Sequence, residues 1–196
     1  MRRRHFGGNE ETRLRILDSA VRQIHQVGLS ASLRPVMERA GLTIGALTRY
    51  FPSKEDLTEA ALDAAFDRGR RRWRERLEGR TGPERVRAMV RFYLSEEFAS
   101  DVDDGCPVPC VLTELSRVPD RIRRPFAAYM QDITGQIAEH LKGDAADRRA
   151  RATGLVSLCI GAVAAARATD SREEMRRILR EAADACDALI GATVAA

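Results

Sequence analysis

The stretch that decides the fold of this chain reads AGLTIGALTRYFPSK, from Ala40 to Lys54. Its apolar residues recur at helical spacing on both sides of Gly41, which predicts two short helices joined by a tight turn. Thr43 is placed to cap the second of these helices. Ser53 and the aspartate three positions later have the spacing of a capping box, which predicts the start of a third helix.

Two residues in this stretch favour contact with a large anionic partner. Gly45 lies in the first turn of a short helix, where glycine costs about 1 kcal/mol relative to alanine. Such a glycine is explained if another molecule approaches the backbone closely. Lys54 lies at the N-terminal end of the third helix, where the helix dipole disfavours a cation and an external phosphate would stabilise one.

The second short helix carries hydroxyl, methyl and guanidinium groups, a mixture suited to base edges and phosphates. Two short helices around a glycine turn form a helix-turn-helix motif, whose second helix enters the major groove of DNA. We assign Thr48 and Arg49 to base edges, and Thr43, Tyr50 and Lys54 to phosphates. The full set of predicted DNA-binding residues is Arg34, Thr43, Gly45, Ala46, Thr48, Arg49, Tyr50 and Lys54.

The net charge of +4 is concentrated in the same part of the chain. Residues 1–57 hold ten Lys and Arg against six Asp and Glu, whereas residues 58–196 hold 23 of each. A basic excess confined to one segment is typical of a nucleic-acid-binding domain. Residues 1–8 are predicted to form a basic arm, which either adds DNA contacts or remains in solvent.

This sequence resembles the DNA-binding domain of the tetracycline-repressor-like (TetR) family of bacterial transcription regulators. The resemblance covers the first third of the chain, and the remainder is similar only in length and helical pattern. Ile44, Thr48 and Arg49 differ from the residues common in the family, so relatives do not give the operator sequence. The residues that carry the resemblance are Thr12, Arg13, Ile16, Leu17, Ala20, Gly28, Ala40, Gly41, Thr43, Gly45, Leu47, Tyr50, Phe51, Ser53, Lys54 and Leu57.

Beyond residue 57 the apolar residues keep a helical period, so we predict an all-α protein of about nine helices. An N-terminal three-helix helix-turn-helix DNA-binding domain, residues 1–57, precedes a C-terminal helical ligand-binding and dimerisation domain, residues 58–196. The first helix is predicted to start at a cap on Asn9. Later helices are predicted over residues 53–77, 83–98, 110–117, 120–141, 144–168 and from 171 onward, with 101–109 irregular because of its Gly and Pro residues.

The resemblance implies that the middle helices enclose a pocket for a small-molecule effector. The protein would then be a repressor that its effector releases from operator DNA. Each candidate wall residue is equally explained as ordinary core, and the set favours an apolar or aromatic effector. The candidates are Phe66, Trp73, Phe92, Tyr93, Phe98, Cys106, Phe126, Tyr129 and Met130.

The resemblance also implies a homodimer whose interface is formed by the last two helices of each chain. Two-fold symmetry lets a protein with one recognition helix bind two half-sites. The alternative is that the small and apolar residues of these helices form an intramolecular core. The predicted interface residues are Leu155, Leu158, Cys159, Ala162, Ile178, Ala182, Cys186 and Leu189.

Four cysteines without metal-binding spacing predict a reduced cytoplasmic protein that holds neither a metal nor a cofactor. The chain has no secretory signal and no segment apolar enough to span a membrane. An alternative regulator would sense electrophiles or oxidants through Cys106, which lies beside a predicted helix start, with Cys110 as its redox partner. An enzyme is disfavoured, since no nucleophile accompanies a histidine and an acidic residue, and we assign no catalytic residue.

Overall fold

The computed structural model describes residues 6–192, and every regular element among them is a helix. This confirms the predicted all-α class. Two 3-10 helices, Ile44–Arg49 and Leu115–Arg117, interrupt the series of α-helices. The α-helices are α1 (Phe6–Val27), α2 (Leu33–Arg39), α3 (Lys54–Arg76), α4 (Gly82–Tyr93), α5 (Glu96–Ser100), α6 (Val108–Val111), α7 (Asp120–Glu139), α8 (Ala145–Ala168) and α9 (Arg172–Gly191).

The N-terminal helices are held together by a small apolar core. α1 packs against α2 and α3, and Met37, Leu47 and Phe51 are buried between them. The Ser19 hydroxyl adds a buried hydrogen bond of 2.9 Å to the carbonyl oxygen of Val36. Within residues 33–51 the apolar anchors are buried, and polar residues such as Arg34, Thr48 and Arg49 are left exposed.

The capping box predicted at the start of the third helix is present at Ser53. The Ser53 hydroxyl oxygen accepts from the backbone N–H of Asp56 at 3.1 Å, and its own proton is donated to the Asp56 carboxylate at 2.6 Å. The Ser53 hydroxyl thereby lowers the pKa of Asp56. Asp56 also pairs with Arg121 at 2.9 Å, so the start of α3 is tied to the start of α7.

Several element boundaries differ from the prediction. α1 starts at Phe6, ahead of the predicted cap at Asn9, and residues 1–5 of the predicted arm lie outside the described part of the chain. The predicted helix 83–98 is divided, because the Ser95 hydroxyl accepts from the N–H of Phe98 and caps a separate α5. The predicted helix 110–117 is divided into α6 and the 3-10 helix Leu115–Arg117. α6 also starts earlier, at Val108, because it can include Pro109 in its first turn, where the missing N–H of proline has no cost.

In the C-terminal part, α8 packs on both α7 and α9, and α7 packs on α3. α8 is long and apolar enough to cross a membrane by length and composition, but half of its most apolar window is buried inside the fold. A buried ion pair that the sequence analysis missed closes one end of α8. Arg151 binds the Asp147 carboxylate at 2.6 Å and donates to the carbonyl oxygen of Leu189 at 3.2 Å.

His25 is a buried histidine near the end of α1, with 6% of its surface exposed. Its Nε2 has no hydrogen-bond partner among the described residues 6–192. Burial lowers its pKa from 6.5 to about 4, against the opposing effects of Asp104 and Asp101, while Arg167 and Arg68 lower it further. The folded protein therefore holds this imidazole in its neutral form.

We predict that His25 lowers the free energy of unfolding as the medium becomes acidic, beginning at pH values above those at which carboxylates titrate. Its stabilisation is complete above pH 6.5 and is lost as the pH falls towards 4, because the unfolded chain takes up the proton first. A shift of this size corresponds to about 3 kcal/mol. Urea unfolding at pH 7, 5.5 and 4.5 should give a flatter pH dependence for His25→Phe. Identical pH dependence in both proteins would contradict the prediction.

Candidate nucleic-acid interface and ligand cavity

The segment after the first turn is a 3-10 helix, Ile44–Arg49, instead of the α-helix that the spacing suggested. Thr43 occupies the N-cap position, but its hydroxyl makes no capping hydrogen bond. The backbone instead closes i→i+3 bonds, such as that from the N–H of Ala46 to the carbonyl oxygen of Thr43 at 3.0 Å. The segment is held by Leu47, which is 5% exposed, and by Phe51.

The predicted DNA-binding residues divide into an exposed and a half-buried set. Five of them are exposed: Arg34, Thr43, Gly45, Thr48 and Arg49. Three are half-buried: Ala46, Tyr50 and Lys54. None of the eight is covered by the protein core. A methyl group built at Gly45 would meet no atom within 4 Å, so the fold itself does not require a glycine there.

The cations of this surface are available to an outside anion. Arg34 has a carboxylate of its own helix nearby, since its Nη1 lies 3.9 Å from Glu38. Within residues 6–192, Arg49 and Lys54 have no ion-pair partner. Lys54 is the first residue of α3, so it adds a positive charge at a helix end that already favours anions.

Ile44 belongs to the same surface and was not among the predicted contacts. Its side chain is 44% exposed although it is a large aliphatic residue. In the sequence, Ile44 is notable only as a departure from the residue common in the family at this position. An exposed isoleucine between Thr43 and Gly45 is the kind of group that contacts the methyl of thymine, and its apolar character in a polar segment was the available signal.

An apolar cavity lies inside the C-terminal helices and holds about 40 Å³. It is enclosed by α3, α4, α7, α8 and the segment that contains α6. No charged side chain lines it. Its lining residues are Trp73, Met89, Val90, Tyr93, Cys106, Val108, Tyr129, Met130, Ile133, Ile137, Leu155, Val156, Cys159 and Ile160.

Five of the nine predicted wall residues line this cavity, and four do not. Phe66 stacks on Tyr129 at 4.7 Å and lies 6.4 Å from Phe126. Phe92 and Phe98 pack on one another at 4.9 Å. These phenylalanines bind other aromatic rings, and the remaining cavity wall is aliphatic. Residues such as Ile133 and Ile160 carry no sequence signal that separates a cavity wall from ordinary core.

The cavity has one polar group without a partner. The Tyr93 hydroxyl is buried and forms no hydrogen bond within the described part of the chain. Burial raises the pKa of Tyr93, and the neighbouring Cys106 thiol raises it further. A space of this size admits a few water molecules but no effector of ordinary size, so a ligand would have to widen it.

The predicted thiol sensor receives no support from the surroundings of Cys106. Its side chain is 7% exposed, and burial raises its pKa, which disfavours the reactive thiolate. All four cysteines are free. Cys110 is half-buried and donates its thiol proton to the carbonyl oxygen of His25 at 3.2 Å, which is a structural contact between distant parts of the chain.

The predicted dimer residues have two different positions in the single chain. Five of them are buried, namely Leu155, Cys159, Ala162, Ala182 and Cys186. Leu155 and Cys159 line the cavity. The buried residues of both helices lie in the part of the chain where α8 packs against α9. A second chain could not reach them without separating the two helices, so their burial favours the intramolecular alternative. Leu158, Ile178 and Leu189 are only half-buried. The exposed side of α8 is formed by small residues at Ser157, Gly161, Ala165 and Ala168.

Known sequences resemble both parts of the chain. Residues 16–61 match the family model of the tetR family of bacterial regulatory proteins. Residues 82–181 match the model of the C-terminal domain of LmrA/YxaF-like transcriptional regulators. The HTH-type transcriptional repressor KstR of Mycolicibacterium smegmatis is 40% identical over 82 residues, which cover 41% of this chain and only 40% of KstR. The HTH-type transcriptional regulator BetI of Paraburkholderia phytofirmans is 28% identical over 166 residues, 80% of this chain and 82% of BetI.

Solved structures share the whole fold at low sequence identity. A TetR-family transcriptional regulator from Cytophaga hutchinsonii is 20% identical, with a TM-score of 0.78 over 98% of this chain and 100% of its own. The reduced form of NemR from E. coli is 20% identical, with a TM-score of 0.72 over 88% of this chain and 95% of NemR. With both segments matched by models of one kind of regulator, the chain belongs to the TetR family of bacterial regulatory proteins.

Proposed function

We propose that this protein is a cytoplasmic transcription repressor that binds operator DNA as a homodimer and releases it when a small molecule enters the apolar cavity. The observation that carries the proposal is the exposed 3-10 segment. Its polar residues, among them Arg49 with no ion-pair partner within residues 6–192, face outward from a buried apolar anchor. Members of its family bind operator DNA and act as dimers. We propose the division into domains 1–57 and 58–196, although α3 runs through the boundary.

The proposed contacts follow from the chemistry of each exposed group. Arg49 and Thr48 read base edges in the major groove, and Ile44 adds an apolar contact to a thymine methyl. Lys54, Thr43 and Tyr50 bind phosphates and fix the orientation of the segment on the duplex. Gly45 and Ala46 let the backbone approach the DNA closely, and Arg34 supplies a further phosphate contact from α2.

We predict that Arg49→Ala and Lys54→Ala weaken DNA binding in different ways. Loss of a base contact should reduce discrimination by about 1–3 kcal/mol, so Arg49→Ala should bind specific and scrambled duplexes more equally. Loss of a phosphate contact should weaken binding to every duplex and lower the salt slope by about 1. Binding to duplexes recovered by selection from random sequence, titrated with salt, measures both effects.

Matched controls remove the same charges elsewhere. Arg74 is exposed on α3, and Lys142 is exposed beyond the end of α7. Arg74→Ala and Lys142→Ala should leave both the preference and the salt slope unchanged. An Arg49→Ala protein that keeps full preference for the selected duplex would contradict the assignment of this residue.

The proposed effector is a neutral, mostly apolar molecule with one group that accepts a hydrogen bond. The cavity offers no charge to an ionic ligand, and the unpartnered Tyr93 hydroxyl can donate one hydrogen bond. Since the cavity holds about 40 Å³, binding must move helices apart. An effector can therefore favour a state of the dimer whose recognition segments no longer fit successive major grooves.

We propose that the dimer interface uses the exposed small-residue side of α8 together with the half-buried Leu158, Ile178 and Leu189. Small residues let two helices approach closely, and Gly161 has open space around its missing side chain. A self-complementary patch of this kind suits two-fold symmetry. The buried members of the original prediction would support this interface from beneath.

We predict that Gly161→Leu shifts the protein towards monomers. Overpacking costs about 1–3 kcal/mol, which corresponds to about a 5- to 150-fold rise in the dimer dissociation constant. Gly135 of α7 is the control, because it is also an exposed helical glycine with no atom near a built methyl group. Sedimentation velocity over a dilution series should separate Gly161→Leu from Gly135→Leu. Equal dissociation of both variants would argue against this interface.

A further inference from the structure

The turn between α1 and α2 is held by a carboxylate from the C-terminal part of the chain. Glu114 accepts hydrogen bonds from the backbone N–H of Leu29 at 3.1 Å and of Ser30 at 2.8 Å, one on each oxygen. Gly28 has a φ of +77°, and a methyl group added there would collide with the Glu114 carboxylate. The turn is therefore shaped to receive this side chain.

Two more contacts join the same parts of the molecule. The Cys110 thiol donates to the carbonyl oxygen of His25 at 3.2 Å. The amide of Gln26 donates to the Asp103 carboxylate at 2.6 Å. Side chains at positions 103, 110 and 114 thus all bind the last turn of α1 or the residues that follow it, and these residues lead directly into α2.

The other side of this segment forms part of the apolar cavity. Cys106 and Val108 line the cavity, and Val108 is the first residue of α6. Arg167 of α8 holds the start of the segment between α5 and α6. Its guanidinium donates to the carbonyl oxygens of Ala99 at 2.8 Å and Asp101 at 3.2 Å. A change in the cavity wall at position 108 therefore lies one short helix away from Glu114.

We propose that Glu114 is the positioning residue through which the occupied cavity changes the orientation of α2 and the recognition segment. The proposal rests on the function proposed above. A ligand that widens the cavity displaces Val108, and α6 moves with it. The two hydrogen bonds of Glu114 carry the movement to Leu29 and Ser30 and weaken as they are stretched. Without the carboxylate, the protein still folds and binds DNA, but the cavity no longer controls binding.

The test uses a substitution whose side chain fills the cavity in place of a ligand. Val108→Phe places a ring in a cavity of about 40 Å³, and overpacking of this kind moves the surrounding elements. In the full-length protein it should weaken binding to the selected duplex about tenfold, within the usual range of allosteric coupling. Val108→Phe should also be combined with Glu114→Gln, which removes one acceptor oxygen, and with Glu114→Ala. In both combinations Val108→Phe should change the affinity for the selected duplex by less than about threefold.

The control for Glu114 is Glu139→Gln, an exposed carboxylate at the end of α7. With Glu139→Gln, Val108→Phe should keep its full effect on operator binding. Unfolding temperatures of all variants show that each compared protein is folded. The proposal would be overturned if Val108→Phe weakened operator binding equally with and without the Glu114 carboxylate. It would also be overturned if a folded Val108→Phe protein bound the operator with unchanged affinity.

Hydrogen exchange separates this proposal from the proposed function. Val108→Phe should speed exchange of the Leu29 and Ser30 amides in the presence of Glu114, and Glu139→Gln should leave these amides protected. Unchanged protection in Val108→Phe would overturn the role of Glu114 even for a protein that binds DNA normally. If the unaltered protein bound no selected duplex, the proposed function would be overturned instead. Faster exchange of the Leu29 and Ser30 amides in Val108→Phe would still support the connection between the cavity and the α1–α2 turn.

Discussion

The burial of Leu47 and Phe51 in the core of the N-terminal helices is the constraint on which the candidate DNA surface depends. These two side chains fix the rotation of the 3-10 segment, because a segment of six residues has too few backbone hydrogen bonds to define its own orientation. Once they are inside, Thr43, Thr48 and Arg49 must face outward. The specificity of the surface is therefore set by apolar packing that never touches a ligand.

Local signals in the sequence were sufficient for most of the fold. Periodicity and caps gave α3, α8 and α9 to within a few residues, since a cap such as Ser171, whose hydroxyl accepts from the N–H of Glu174, acts over three residues. The α4–α5 break was missed because Ser95 fits equally well inside a helix or at its start. Such a choice is decided by tertiary packing, which periodicity does not contain.

The candidate sites were less predictable because their decisive contacts join distant positions. Glu114 binds an amide 85 residues away, and Arg167 reaches a carbonyl oxygen 68 residues away. Neither residue belongs to a motif. The cavity walls were predicted from aromatic residues, and Trp73, Tyr93 and Tyr129 do line the cavity. The four predicted phenylalanines pack on other rings away from it, and aliphatic residues such as Ile133 and Ile160 form much of the wall.

The position of α8 explains how one fold can connect a ligand, a partner chain and DNA. Its buried side contributes Leu155 and Cys159 to the cavity, while its exposed side carries the small residues around Gly161. Arg167, near its end, holds the segment that reaches the α1–α2 turn. In the proposed dimer, a ligand that shifts α8 would thus act both on the geometry between the two chains and on the turn that precedes the recognition segment. Packed helices respond to such a shift as rigid bodies, so a small displacement at the cavity is converted into a change of spacing between two DNA-binding surfaces.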